Sequence, residues 1–296
     1  IPPEGLFDHV ASLAVAAEEA GFAQVTVMDH LYQIRGIGPE THPMLEGWTT
    51  LAALSQRTSR VRLGTQVTGV TYRNPALLAK MATTLDTLSK GRAMLGIGAA
   101  WNESEHRGYG FEFPPIRERM DRLDEALAIV TAMFREERPT FEGRHYRIDR
   151  ALNVPRPIQP RGPRILVGGA GEQRTLRIAA RYADMTHWFG SLGLDELRRK
   201  TAILERYCEE IGRDPATIER SLGTPVLVAR DPRHADEILA RVPPERRTAR
   251  PVPPEQAAEQ LRPFIDAGFT GFTFNDSFLE TPEELALAGE ALRFLS

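Results

Sequence analysis

The stretch RAMLGIGAAWNESEHRGYGFEFPP, Arg92–Pro115, decides the fold. It begins apolar, passes Gly96 and Gly98, then turns polar and aromatic. It could be a nucleotide-phosphate loop or a barrel strand opening into a site. A dinucleotide fingerprint needs a third glycine and a helix that starts at once. Here Trp101 and Asn102 stand where that helix should begin, and the next helical pattern starts only near Pro115. The stretch therefore reads as a strand end followed by a long loop, and such loops are often functional. Gly98 would let a flat ring approach the backbone; the alternative is that Gly96 and Gly98 only relieve crowding inside a barrel.

Working outward, short β-rich runs alternate with amphipathic helical runs. The strands read as AQVTVMD, VRLGTQVT, RAMLGIG, RILVGG, ADMTHWF, SLGTPVLVARD and TGFTFND. Between them lie helical patterns such as PALLAKMATTLDTLSKG, with Pro75 at its start and Gly91 at its end. The long helix after Pro115 carries Met120, Leu123, Leu127, Val130 and Met133 on a helical period. This order predicts an α/β chain with a parallel sheet. Its leading closure is a (β/α)8 TIM-type barrel forming one domain over 1–296; an open doubly wound sheet is second. Residues 139–163 read as an insertion packed on the barrel, with a hairpin around Gly143. The chain opens on a helix, so the expected first barrel strand is absent from the sequence.

The 296 residues are 42% hydrophobic, enough to bury a sizeable core. A net charge of −3 gives no basic surface for nucleic acid. No apolar run approaches the roughly 20 residues that span a membrane, and IPPEGLFDHV has no signal-peptide pattern. The single Cys208 excludes an internal disulfide and points to the cytoplasm. It reads as buried filler, with a nucleophile as the alternative. Only Lys80, Lys90 and Lys200 stand among 37 basic residues, and none follows a P-loop or ends a strand. His187 has no neighbouring His or carboxylates at metal-ligand spacing, so no metal is expected.

In a βα barrel the chemistry sits where strands run into loops. Gly168-Gly169-Ala170-Gly171 lies between a strand and a helix predicted to start near Glu172. Free N–H groups and the helix dipole favour an anion there, and Arg174 could add a charge-assisted bond. The alternative is a plain tight turn. Asp29 and His30 end the first visible strand: His30 could face a cofactor ring or act as a base, or Asp29 could cap a helix with His30 on the rim. Glu46, Trp48, His187, Trp188 and Asn275 are candidates for the substrate side. Asn102 and Glu103 are expected within reach of the cleft, outside the helix after Pro115.

VRLGTQVTGVTYRNPALLAK, the Arg92–Pro115 stretch and RILVGGAGEQRTLRIAARYAD together resemble the luciferase-like monooxygenase superfamily, most of all its branch that depends on the deazaflavin coenzyme F420. The resemblance implies a barrel that holds F420, or alternatively FMN, at the C-terminal ends of its strands. It implies that Asp29-His30 lies near the ring, with His30 catalytic. Thr65, Gln66 and Val67 would meet the ring across a non-prolyl cis peptide at Gln66-Val67. Gly98 and Asn102 would line the ring or its tail, and Gly168 to Gly171 the phosphate. It also implies a first strand before the first helix. The expected activity is hydride transfer between F420 and a small organic substrate, in a chain that forms a homodimer. The alternatives are an FMN-dependent monooxygenase and a non-catalytic flavin-binding barrel. One departure stands out. Sugar-phosphate dehydrogenases resembling this branch carry a catalytic Glu where this chain has Ala99-Ala100, and a Trp where it has Tyr32-Gln33. The substrate is therefore left open.

Overall fold

The structure is a computed structural model that describes residues 2–34, 37–242, 249–274 and 279–295. Helix α1 (Pro3–Glu19) opens it, with proline in its first turn and Ala11, Ala14 and Ala17 buried along one face. It ends at Gly21, whose φ of 93° suits glycine. The parallel strands follow: β1 (Gln24–Val27), β2 (Arg62–Thr65) and, beyond the two residues after β2, the short β3 (Thr68–Gly69). Then come β4 (Ala93–Gly98), β7 (Arg164–Gly168), β8 (Met185–Trp188), β9 (Glu219–Gly223) and β10 (Gly271–Thr273). The antiparallel pair β5 (Phe141–Glu142) and β6 (Arg147–Ile148) stands apart. The main ladder runs β1-β2-β4-β7-β8-β9-β10, with β3 on β4.

Helices α2 (Gly47–Leu54), α3 (Pro75–Leu88), α5 (Ile116–Arg135), α6 (Thr175–Tyr182), α7 (Leu194–Glu210), α8 (Pro232–Arg241), α9 (Pro254–Asp266) and α10 (Pro282–Arg293) accompany the strands, and α4 (Glu103–Tyr109) sits in the loop after β4. This is the expected βα alternation, curled as in a TIM-type barrel. Among the described residues no strand precedes β1, and β1 and β10 share no ladder. Helices α1 and α10 pack together on that side. Gly289 makes the approach possible: a Cβ there would stand 2.3 Å from the Ala20 carbonyl oxygen.

Side chains alternate between two environments. Leu63, Leu95, Ile97, Ile165, Val167, Trp188 and Leu222 pack outward into the main core beneath the helices. Met94, Leu166 and Met185 form a separate interior cluster that includes Val67. Gln66 also points inward and donates to Thr273 Oγ1 at 3.3 Å, bridging β2 and β10.

The ends of the strands are secured differently. At the N-terminal end, Arg92 donates to the carbonyls of Ser55, Thr58, Val61 and Ser89. Arg213 closes the last turn of α6 through the Ala180 and Ala183 carbonyls. Arg156 closes the last turn of α5 through Met133, Phe134 and Glu136. The insertion is tied down by two carboxylates. Glu125 accepts N–H groups of Arg144, His145 and Tyr146 in the hairpin, and Asp86 accepts those of Ile158 and Gln159.

Three local expectations are corrected. The chain from Gly98 to Pro115 is not an unbroken loop, because α4 occupies part of it. The last part of SLGTPVLVARD is not strand: β9 is Glu219–Gly223, and Val226 and Val228 pack into the core beside α9 and α10. Helix α6 begins at Thr175, three residues later than expected.

A Cβ at Gly96 would stand 2.0 Å from the Thr65 carbonyl oxygen, so two strand backbones would have to separate. Gly96→Ala is expected to lower Tm by at least about 5 °C. Gly193, with nothing within 4 Å of a built Cβ, is the control. Gly193→Ala should change Tm by under about 2 °C in the same thermal melts.

Candidate active site

Neighbouring residues Asp29 and His30 have opposite surroundings. Asp29 is buried, and its two oxygens take both arms of the Arg73 guanidinium at 2.5 and 3.1 Å. Arg73 also reaches Glu46 at 2.7 Å. Glu46 caps α2 by accepting the N–H groups of Trp48 and Thr49. Partial burial works to raise the Glu46 carboxyl, but Thr49, Trp48 and Arg73 outweigh it and hold it below its ordinary range. The Trp48 indole N–H donates to Thr68 Oγ1 at 3.1 Å. Thr68 donates to Thr65 Oγ1, and Thr65 to the Gly96 carbonyl at 2.8 Å. Glu46, Trp48 and Thr65 are thus engaged in holding the wall of the site together.

His30 meets a carboxylate that sequence reasoning missed. Its Nδ1 lies 2.7 Å from Oε2 of Glu105, a fully buried residue of α4. Tyr72 donates its hydroxyl to the same oxygen at 2.6 Å, Asn102 Nδ2 lies 3.3 Å from it, and the Leu31 N–H bonds Oε1. Burial works to raise the Glu105 carboxyl, but His30, Tyr72 and Leu31 outweigh it, so it lies below its ordinary range and is ionised at neutral pH. Burial and the Glu105 charge push the Tyr72 phenol upward, so it remains a donor. An ionised carboxylate only accepts, which places a proton on His30 Nδ1 and makes Nε2 the acceptor nitrogen of the neutral ring.

Helix α4 is docked by its own histidine. His106 is buried, with Nδ1 2.7 Å from the Asn102 carbonyl and Nε2 2.6 Å from Thr71 Oγ1. Its ring stacks on Tyr72 at 4.9 Å. Glu103, expected within reach of the cleft, is exposed and pairs with Arg107 along α4. The Ala99 and Ala100 carbonyls are held by Arg119. Beside His30 the exposed Trp101 presents a ring at 5.5 Å and 72°. Trp101 and Asn102 join Tyr32, Gln33 and Ile34 around a cavity of about 60 Å³.

Deeper in the barrel, Gln66-Val67 is a cis peptide, as expected. The Val67 side chain lies against three glycines: a Cβ at Gly96, Gly98 or Gly168 would approach it to 3.1, 3.1 or 3.0 Å. The turn after β7 follows. Gly169 has φ of 103° and donates its N–H to the His187 carbonyl. Lys200 of α7 is buried with its ammonium 3.0 Å from the Ala170 carbonyl and 3.0 Å from Glu172. A trans peptide points its C=O and N–H to opposite sides, so this contact turns the Gly171 N–H away from Lys200. The N–H groups of Ala170, Gly171 and Glu172 have no acceptor among the described residues.

Arg174, expected to face this turn, instead bonds Asp121 and the Arg117 carbonyl on α5. The late start of α6 puts it at the N-cap rather than in the first turn. Trp188, expected on the substrate side, faces outward and packs against Phe269 in the core. His187, one residue earlier, faces the lumen. Asn275 lies outside the described residues. Sequence reasoning also missed Lys200, Arg73 and Tyr72, since each acts through a contact distant in the chain.

The fold is a TIM-type barrel with a histidine–carboxylate pair at its mouth. The chain belongs to the luciferase-like monooxygenase family, whose model matches residues 2–293. An F420-dependent glucose-6-phosphate dehydrogenase of Kineococcus radiotolerans is 36% identical over 233 residues, covering 77% of this chain and 66% of that protein. A protein of the same name from Intrasporangium calvum is 32% identical over 303 residues, covering 90% of this chain and 87% of the relative. In fold, the chain is similar to an F420-dependent secondary alcohol dehydrogenase solved with an F420-acetone adduct. That likeness has a TM-score of 0.82 at 20% identity and covers 100% of this chain and 96% of the other. No described helix is long and apolar enough to cross a membrane.

The buried Asp29–Arg73 pair gives a direct test. Removing the cation strands a buried carboxylate, which costs about 3–5 kcal/mol. Arg73→Leu should therefore lose that much stability in urea melts, and Arg73→Leu combined with Asp29→Asn should recover a large part of it.

Proposed function

We propose that this protein is an oxidoreductase that transfers a hydride between bound coenzyme F420 and a small organic substrate at the barrel mouth. One observation carries the reading. A histidine with a fixed proton on Nδ1, seated on the buried carboxylate of Glu105 and flanked by the Trp101 ring, stands just past the C-terminal end of β1. The relatives' names supply the cofactor class.

The residues fit such a group. Gly98 and Gly168 leave bare backbone beside the Val67 side chain, where a Cβ would stand 3.1 or 3.0 Å from it. Ala170, Gly171 and Glu172 offer N–H groups suited to a phosphate. When bound, the deazaflavin supplies the hydride acceptor or donor, and the protein supplies position and proton. His30 gives or takes the proton at Nε2 as the substrate's oxygen or nitrogen changes charge. Glu105 holds the imidazole through Nδ1–H. Tyr72 and the Leu31 N–H hold Glu105 in turn. Trp101, Tyr32 and Ile34 form an apolar rim that helps to exclude water around His30. Glucose 6-phosphate is not carried over from the relatives, because Ala99 and Ala100 stand where sugar-phosphate enzymes place a catalytic Glu.

His30→Ala should slow single-turnover hydride transfer, with cofactor saturated, by roughly 10²-fold or more. Glu105→Gln should slow it by roughly 10-fold or more while cofactor affinity changes little. An unchanged rate in His30→Ala would remove His30 from the chemistry. A bound chromophore near about 450 nm with oxygen consumption, instead of one near about 420 nm, would replace this reading by an FMN monooxygenase.

A further inference from the structure

His187 lies across the ladder from His30, and the proton chemistry described above leaves it unused. On β8, Met185 joins the interior cluster while Trp188 packs into the outer core. Strand alternation therefore turns His187 into the lumen with Met185. Its Nδ1 lies 3.0 Å from Ser221 Oγ, and Ser221 Oγ lies 2.8 Å from the Thr186 carbonyl. A carbonyl only accepts, so the serine's single proton goes to Thr186. Its oxygen then accepts from His187 Nδ1–H. The ring is thereby fixed with its proton on Nδ1 and a bare lone pair on Nε2. Burial supports this state, pushing the imidazole down to about 4 and leaving it neutral at neutral pH.

Among the described residues nothing donates to that Nε2. The space around it is cleared by glycine. A Cβ at Gly223 would lie 3.9 Å from Nε2, and Gly168, in register with His187, lies against Val67. An unpartnered acceptor facing this space repels the lone pairs of a carbonyl, carboxylate or phosphate edge. It demands a ligand group that donates.

We propose that His187 is a specificity-determining residue whose Nε2 accepts a hydrogen bond from the imide N–H of the cofactor's pyrimidinedione edge. That N–H is the donor which deazaflavins and flavins share on the ring itself. The inference rests on the cofactor reading above.

The test is a fluorescence titration of the full chain with coenzyme F420 and with its derivative methylated on the imide nitrogen. Wild type should bind the methylated ring about 10-fold or more weakly. His187→Ala should bind the parent ring about 10-fold more weakly and lose the discrimination. His187→Gln, which keeps an acceptor oxygen, should recover part of both. Equal affinity of wild type for the two rings overturns the proposal without any variant, so it survives a variant that fails to fold. A methylation penalty that persists in a folded His187→Ala overturns it as well. Wild type that binds the coenzyme yet fails these tests leaves the hydride-transfer reading standing. Wild type that binds neither F420 nor FMN overturns both.

Discussion

Val67 stands inside the barrel in space that three glycines on two strands vacate for it. Gly96 and Gly98 on β4 and Gly168 on β7 each lie within about a methyl group's reach of its side chain. Below it Met94, Leu166 and Met185 fill the lumen, and Met94 fits because Gly64 opposite has no side chain: a Cβ there would stand 2.3 Å from Met94 Cγ. The interior is therefore layered, with large apolar side chains at one level and glycines above. A flat ring needs such a change of level: a firm floor, with bare backbone beside it.

Asp29 and His30 are held by different partners. The carboxylate of Asp29 is spent on Arg73, which also reaches the cap of α2. That bond holds the end of β1 to the start of α3. His30, next in the chain, turns the other way and meets Glu105, so its orientation depends on α4 staying docked. Two buried carboxylates thus flank one histidine, and only one of them touches it.

The barrel was legible because its signals are local: β-rich runs, helical periods, and glycines or prolines at the joints. Gly98 and Gly168 were legible as strand ends for the same reason. Helix α4 was not. It is only seven residues long, its N-cap Asn102 makes no side-chain cap bond, and its buried residues are Glu105 and His106. No apolar period marks such a helix; tertiary contacts to Thr71, Tyr72 and His30 hold it. The strand β9 was misplaced because its sequence, ERSLG, is more polar than the PVLVA that follows. Its charges are satisfied by Arg164 and Glu205, contacts that no short window of sequence contains. Arg174 and Trp188 were assigned from position near a turn or strand end, and each faces the opposite side, where a partner from another helix or strand receives it.

The arginine clasps at the N-terminal end of the barrel carry an evolutionary consequence. Arg92, Arg156 and Arg213 bind mostly backbone carbonyls, with the Thr58 and Thr217 hydroxyls as the side-chain acceptors of Arg92 and Arg213. Bonds to carbonyls do not depend on which residues occupy the positions they hold, so the closed end tolerates drift in its neighbours' identities. The mouth, in contrast, is held through particular side chains. A lineage starting from this scaffold can exchange the loops around Trp101 and Tyr32 to meet a new substrate, while the far end keeps the strands in register throughout the change.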